Sequence, residues 1–338
     1  MGQRVVLFYS SVKDKESFST QLFYKIDIDI LSNLGYEVRV TNSILDFLVF
    51  WKYSVAFIYF YRYGLFPAII SRLYLKKVYF TGGIDDLEKK TTPKKRYIQQ
   101  VVFFKLCYCF SSQCFIVSTA DLNNVKRIYK GSLPRKISLS FHAIDVNKYF
   151  KKDLVQKENN FTTIAWMGSE SNTVRKGLDK AILLFHKFTT DYEQFRNSKL
   201  FIIGAEGEGT QKIKPQIKDL NIQDKIVFTG SIGENEKIKL LSDNRFYFQM
   251  SVYEGFGIAA IEALISGNIV LHSGKGGLID GLANHGILLD ITMPASIMAK
   301  NSVELIADVS QDFLNAGVQH VIDNFSIEQR KKSFEKKM

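Results

Sequence analysis

Apolar residues in this 338-residue chain come in short runs rich in β-branched and aromatic side chains, separated by longer stretches with helical spacing. In the first half the runs are residues 4–9, 36–41, 55–61, 77–81, 114–118 and 136–140. In the second half they are residues 161–167, 199–204, 225–230, 245–251, 268–272 and 286–290. The stretch FSTQLFYKIDIDILSNLG predicts a helix from near Ser19 to Gly35, the glycine acting as a stop. Near-continuous apolar strands alternating with helices predict α/β parallel sheets covered on both faces. Two such sets predict two doubly wound domains joined by the polar stretch 147–160 (NKYFKKDLVQKENN). Such sheets bind ligands at the carboxyl ends of their strands, so two facing sheets would place a site in the cleft between them.

The aromatic segment 44–80 departs from this pattern. Lys52, Arg62 and Arg72 interrupt it too often for a membrane span. The part around Phe57 to Tyr61 reads as a buried strand, and core packing is the expectation for the rest. The alternative is an interfacial membrane contact, helped by Lys76 and Lys77.

A hydrophobic content of 46% with 23% charged residues is that of a soluble globular protein, and the length fits two domains. The N-terminus lacks the pattern of a signal peptide. Cys107, Cys109 and Cys114 read as buried thiols of a reduced, cytosolic protein. No second Cys/His cluster completes a metal site, and the five histidines are not spaced as ligands. Residues 1–145 carry 21 Lys and Arg against 11 Asp and Glu, whereas residues 146–338 carry 24 against 23. A basic first half fits an anionic partner such as a membrane, a nucleic acid or a phosphate; solubility alone would also account for it.

Two stretches carry candidate chemistry. In SVYEGFGIAAIEALISGNIV (251–270) a strand ends near Ser251 and a helix begins near Gly257. Glu254 would then sit in the strand-to-helix loop, and Glu262 one to two turns along the helix. Gly255 and Gly257 permit close approach of a ligand, and the helix N-terminus suits phosphate. The two carboxylates would accept hydrogen bonds from sugar or ribose hydroxyls. A glycine turn with two solvated glutamates is an equal reading of these residues alone. In MGSESNTVRKGLDKAI (167–182) a polar loop leads to Arg175, Lys176 and a helix opened by Gly177. Cations at a helix start are electrostatically out of place, and a bound diphosphate would resolve the conflict.

Taken together, these stretches resemble the retaining nucleotide-sugar glycosyltransferases of glycosyltransferase family 4. YEGFGIAAIEALISGNIVL is similar to their E-x7-E signature, and MGSESNTVRKGLDKAI to their GR…KG loop. KLFIIGAEGEG and KIVFTGSIGENEKIKLLSDNRFYFQMS follow in the family's order. CFIVSTADLNNV with SFHAIDVNKYF resembles the end of the family's first domain. The resemblance implies a GT-B fold: an acceptor-binding Rossmann-like domain over 1–146, a donor-binding one over 147–324, and a C-terminal helix over 325–338 returning to the first. It implies that Glu254 contacts the donor sugar and Glu262 the ribose. Gly168, Ser169, Arg175, Lys176 and the backbone of Gly255, Phe256, Gly257 and Ile258 would surround the diphosphate. Gly204 would form a tight turn beside it, and Gly230, Ser231 and Ile232 would lie near the base.

The family's arginine is Ser169 here, so either Arg175 supplies its charge from the other end of the loop or the affinity for diphosphate is lower. Its first-domain histidine has no counterpart, and Asp85 in YFTGGIDDLEKK is the candidate for that place. KKTTPKKR (89–96) reads as a solvated loop. The implied activity is retaining, metal-independent transfer of a hexose-type sugar, with Glu254, Lys176 and Asp85 catalytic. The donor would be a nucleoside-diphosphate sugar, UDP preferred over GDP, and the acceptor a glycan or lipid-linked molecule. The expected setting is cytoplasmic, peripheral on the inner face of a membrane, with no nucleic-acid partner and no cofactor. A catalytically silent sugar- or membrane-binding relative and a basic nucleic-acid-binding protein are the competing readings.

Overall fold

A computed structural model describes residues 4–150 and 157–338; of the stretch expected to act as linker, residues 151–156 lie outside the described residues. The chain divides into two compact units, Met1–Asp145 with Asn324–Met338, and Val146–Asp323.

The first unit holds strands β1 (Val5–Tyr9), β2 (Glu37–Thr41), β3 (Val55–Tyr59), β4 (Lys77–Thr81), β5 (Gln113–Ile116) and β6 (Ile137–Leu139). They form one parallel sheet in the order β2-β1-β3-β4-β5-β6. The interior strand β3 is buried at all five positions, and its period of two feeds two cores. Ala56 and Ile58 join Leu7, Val78 and Phe80 on one face, under Phe47, Ala68 and Phe104. Those three cap residues come from the turn Ile44–Leu48 and the helices Leu65–Leu73 and Lys94–Phe110. Val55, Phe57 and Tyr59 join Phe8, Tyr79 and Phe115 on the other face, under helices Leu22–Asn33 and Ile327–Glu335.

Helix Ile327–Glu335 is fastened by a buried cation. The Arg330 guanidinium donates to both Asp27 oxygens at 2.5 and 2.6 Å, and to the Ser140 and Phe141 carbonyls at 2.9 and 2.8 Å. The Tyr59 hydroxyl donates to the same carboxylate.

The second unit holds β7 (Glu158–Ile164), β8 (Leu200–Ile203), β9 (Ile226–Gly230), β10 (Asn244–Gln249), β11 (Ile269–His272) and β12 (Ile287–Leu288), all parallel. Their order is β12-β11-β10-β7-β8-β9. Phe161 stacks between Phe246 and Phe248, with ring centroids 4.7 and 4.9 Å away. Leu178, Ala181, Ile182, Phe185 and Phe188, at helical spacing on Leu178–Asp191, close that core. The chain runs outward from β7 through β8 to β9, then returns to β10 on the other side of β7. The β7/β10 boundary is therefore the topological switch point, where doubly wound sheets bind ligands.

The two expected doubly wound sheets are both present, with several local differences. The helix expected from Ser19 is two pieces, Ser17–Thr20 and Leu22–Asn33, because Gln21 is extended at ψ 113°. The run at 286–290 pairs only over Ile287–Leu288. Cys107 and Cys114 are buried, but Cys109 is exposed on the outer side of its helix. The 89–96 stretch is loop only in part, since Lys94 opens a helix behind Pro93. Core packing fails for much of segment 44–80: Leu45, Leu48, Trp51, Phe66, Leu73 and Leu75 are exposed.

Removing Arg330 leaves Asp27 as an uncompensated buried charge. Arg330→Met should cost about 3–5 kcal/mol of stability, and Asp27→Asn in the same chain should recover part of it. Denaturant unfolding of the two variants checks both outcomes; a loss below about 1 kcal/mol in the single variant would contradict this account of the pair.

Candidate active site

The loops after β7 and β10 meet at the switch point. The β7 loop runs through Gly168 to the helix Glu170–Arg175, whose cap is Ser169: its hydroxyl accepts from Asn172 N at 3.3 Å. Gly177 then turns the chain at φ +64° into Leu178–Asp191. A Cβ there would lie 2.0 Å from the Met250 carbonyl oxygen, so this glycine lets the two loops close on each other. Val252 N donates to the Arg175 carbonyl at 2.8 Å, and Arg175 Nη1 to the Tyr253 carbonyl at 3.2 Å.

This arrangement delivers a cation to Glu254. Its Oε1 accepts from Lys176 Nζ at 2.6 Å, Ser251 Oγ at 2.6 Å and Gln249 Nε2 at 3.0 Å. Its Oε2 lies 4.0 Å from Arg175 Nη1. The backbone beyond is held too: Gly277 N donates to the Glu254 carbonyl at 2.7 Å. Burial pushes the Glu254 carboxyl up. Lys176, Arg175 and the Lys176 and Ser251 hydrogen bonds outweigh that, so the net shift is downward.

Glu262 sits in a second polar cluster, on helix Ile258–Ile265 behind Gly257 (φ +88°). Its Oε2 accepts from Lys237 Nζ at 2.9 Å; Lys237 also pairs with Glu234 at 3.0 Å, and the Tyr149 hydroxyl donates to Glu234. Burial raises the Glu262 carboxyl and, with the nearby Glu234 charge, prevails over Lys237 and Tyr149. Burial opposes the charge on Lys237, but its two carboxylates outweigh it and hold its pKa up. The two signature glutamates are thus driven in opposite directions by different surroundings.

Comparison with known proteins bears directly on this site. The family model described as Glycosyl transferases group 1 matches residues 152–330, just over half of the chain, and spans both loops and both glutamates. The chain belongs to this family. The O-antigen chain mannosyltransferase RfbU of Salmonella typhimurium is 22% identical over 342 residues, covering 96% of this chain and 92% of that relative. The GDP-mannose:cellobiosyl-diphosphopolyprenol alpha-mannosyltransferase of Xanthomonas campestris is 27% identical over 159 residues, 47% of this chain and 40% of its own. Among solved structures, Anabaena HepE in complex with UDP and glucose superposes with a TM-score of 0.75 at 14% identity, covering 99% of each chain. The fold is GT-B, and the protein is a glycosyltransferase.

Of the residues singled out in its sequence, the fold brings Arg175, Lys176 and Glu254 into direct contact. Gly255, Phe256, Gly257 and Ile258 follow at the start of the helix that carries Glu262. Gly204 and Gly230 close β8 and β9, Gly204 N donating to the Gly230 carbonyl at 3.0 Å. Ser231 and Ile232 lead into helix Glu234–Asp243, and Ser231 is exposed. Asp85 lies in the first unit, where it opens the short turn Asp85–Leu87 after β4; its neighbour Asp86 pairs with Arg96 at 2.8 Å.

Two sequence readings change. Lys176 stands just ahead of the helix that Gly177 opens, as expected, but a second helix ends at the same place. Arg175 and Lys176 close Glu170–Arg175, where positive charge is favoured, so their placement needs no anion to explain it. The signature glutamates are not solvated: Glu254 is 7% exposed and Glu262 3%. Sequence reasoning also missed Gln249, Ser251 and Lys237. Gln249 and Ser251 were legible as polar residues closing an apolar strand. Lys237 carried no such signal, since its partner stands 25 positions away.

Lys176→Ala should weaken nucleoside-diphosphate binding by about 10- to 100-fold, the value of a charge-assisted contact of roughly 1.5–3 kcal/mol. Free nucleoside should be little affected. Titration calorimetry with both ligands checks this, and equal losses would remove Lys176 from the diphosphate site.

Proposed function

We propose that this glycosyltransferase transfers a hexose, with retention of configuration, from a nucleoside-diphosphate sugar to a glycan or lipid-linked acceptor. The product would belong to a cell-surface polysaccharide or glycolipid made at the cytoplasmic face of a membrane. One observation carries the reading: Glu254, buried at the switch point and held ionised by Lys176 and Arg175.

The second unit is the donor side. An ammonium has three donors, so Lys176 can keep one on Glu254 and give others to a phosphate. Arg175 and the first amides of helix Ile258–Ile265 add positive potential on the same side. These groups supply the charge stabilisation a leaving diphosphate requires without calling for a metal. Glu254 would accept from donor-sugar hydroxyls and Glu262 from the ribose. In the transfer the bond from the anomeric carbon to the phosphate oxygen breaks as the acceptor oxygen bonds to that carbon from the same face. The acceptor proton passes to the departing phosphate oxygen. Asp85, on the first unit, is proposed to act on the transferred sugar, and that unit to take the acceptor.

The sequence reading preferred UDP over GDP. The two curated relatives above are named as mannosyltransferases, one of them using GDP-mannose, and their names favour GDP-mannose as the first donor to test, with UDP-glucose beside it.

Glu254→Gln keeps the shape of the side chain and removes its charge. Donor turnover should fall at least tenfold, about 1.4 kcal/mol or more, in a variant that stays folded. Wild-type turnover in the folded variant would refute the role of Glu254. Proton NMR of the transferred sugar from an α-linked donor should show an α product; a β product would overturn retention.

A further inference from the structure

The first unit has one face whose composition neither its core nor sugar transfer explains. The turns Ile44–Leu48 and Phe50–Lys52 and the helices Leu65–Leu73 and Lys94–Phe110 form a layer on one side of the first sheet, covering the core of Ala56, Ile58, Val78 and Phe80. Their outer sides therefore make one continuous surface facing away from the sheet. A layer exposed to water should be polar there, with an apolar stripe only towards the core.

It is not. Helix Lys94–Phe110 buries Gln100, Phe104 and Cys107 yet exposes Ile98, Val102 and Leu106, an i, i+4, i+8 ridge along its outer side. Helix Leu65–Leu73 exposes Phe66 and Leu73. Leu75, just beyond it, is 89% exposed, and Trp51 is 70% exposed. The Phe50 and Tyr74 rings stack at 3.7 Å, which ties the Trp51 turn to the end of helix Leu65–Leu73. Large apolar side chains gathered over one face mark an interaction surface rather than scattered exposure.

Charge indicates what it meets. Residues 44–110 hold eleven Lys and Arg against four Asp and Glu. Two of those acidic residues are spent locally: Asp86 on Arg96 and Arg62, and Glu88 on Arg127. Lys94 and Lys95, which open the helix carrying the apolar ridge, are exposed, as is Lys52 next to Trp51. Among the described residues no helix is long and apolar enough to cross a membrane. Exposed Trp, Phe and Leu interleaved with lysine fit a surface that lies on a bilayer.

We propose that this outer face docks on an anionic lipid bilayer, with Trp51, Phe66, Leu75, Ile98 and Val102 entering the interface and Lys94 and Lys95 meeting lipid headgroups. Each Lys or Arg near such a surface contributes about 1 kcal/mol, so several of them beside shallow apolar insertion give reversible binding. The inference rests on the first unit's surface and does not depend on the sugar-transfer reading.

Flotation of the full chain with vesicles tests it. The wild type should float with phosphatidylcholine vesicles containing phosphatidylglycerol and stay behind with phosphatidylcholine alone. Trp51 emission, read in a Trp166→Phe background, should shift to the blue on binding. Ile98→Glu with Val102→Glu, both on the solvent side, should reduce binding at least tenfold with an unchanged unfolding midpoint. Lys94→Glu with Lys95→Glu should do the same, and nucleoside-diphosphate binding should persist in both variants. The proposal is overturned if the wild type fails to float with anionic vesicles at low salt, or if both double variants float as it does. It is also overturned if sedimentation shows a dimer that Ile98→Glu with Val102→Glu dissolves while vesicle binding is absent or unchanged, since the face would then belong to a second copy of the chain.

Discussion

A carboxylate taken out of water at the end of a strand is tolerated only if a cation and hydrogen-bond donors come with it. The desolvation penalty is several kcal/mol per ion, and an unpaired charge would protonate or unfold its surroundings. Glu254 is such a group, and the geometry around the β7/β10 boundary answers its requirement. Gly177 gives up its Cβ so that Lys176 can reach across; Arg175 is anchored to the Tyr253 carbonyl; Ser251 and Gln249 close the remaining side. The same side chains that stabilise the loop are those a diphosphate would find there.

The contrast between the two signature glutamates has a simple cause. Both are buried, so burial alone would raise both pKa values. Glu254 faces two cations and neutral donors. Glu262 faces one cation shared with Glu234, whose charge opposes ionisation. Two carboxylates eight positions apart thereby acquire different electrostatic characters. Under the proposed roles, Glu254 would accept from donor-sugar hydroxyls beside the two cations, and Glu262 from the ribose.

Much of this was legible in the sequence because it rests on local rules. The alternation of β-branched runs with helical spacing marked twelve strands, and the glycines at 255, 257 and 177 marked the tight turns. What was not legible depends on long-range contacts. The pairing of Lys176 with Glu254 spans 78 positions and that of Lys237 with Glu262 spans 25, and nothing local announces either. The six-residue helix that Arg175 and Lys176 close, just ahead of the one Gly177 opens, was missed because it is too short to leave a periodic signal. The aromatic segment 44–80 was assigned to the core on composition. Its periodicity cannot distinguish a residue packed against a sheet from one on the outer side of the same helix when both sides are apolar.

The central claim is that the Lys176–Glu254 pair is the diphosphate-facing element of a donor site. A crystal structure of the chain with GDP, and a second with UDP, tests it most directly. The account predicts diphosphate oxygens within hydrogen-bonding distance of Lys176 Nζ and of the first amides of helix Ile258–Ile265, with Glu254 still in contact with Lys176. A diphosphate bound elsewhere on the second unit, with the Lys176–Glu254 pair untouched, would contradict it.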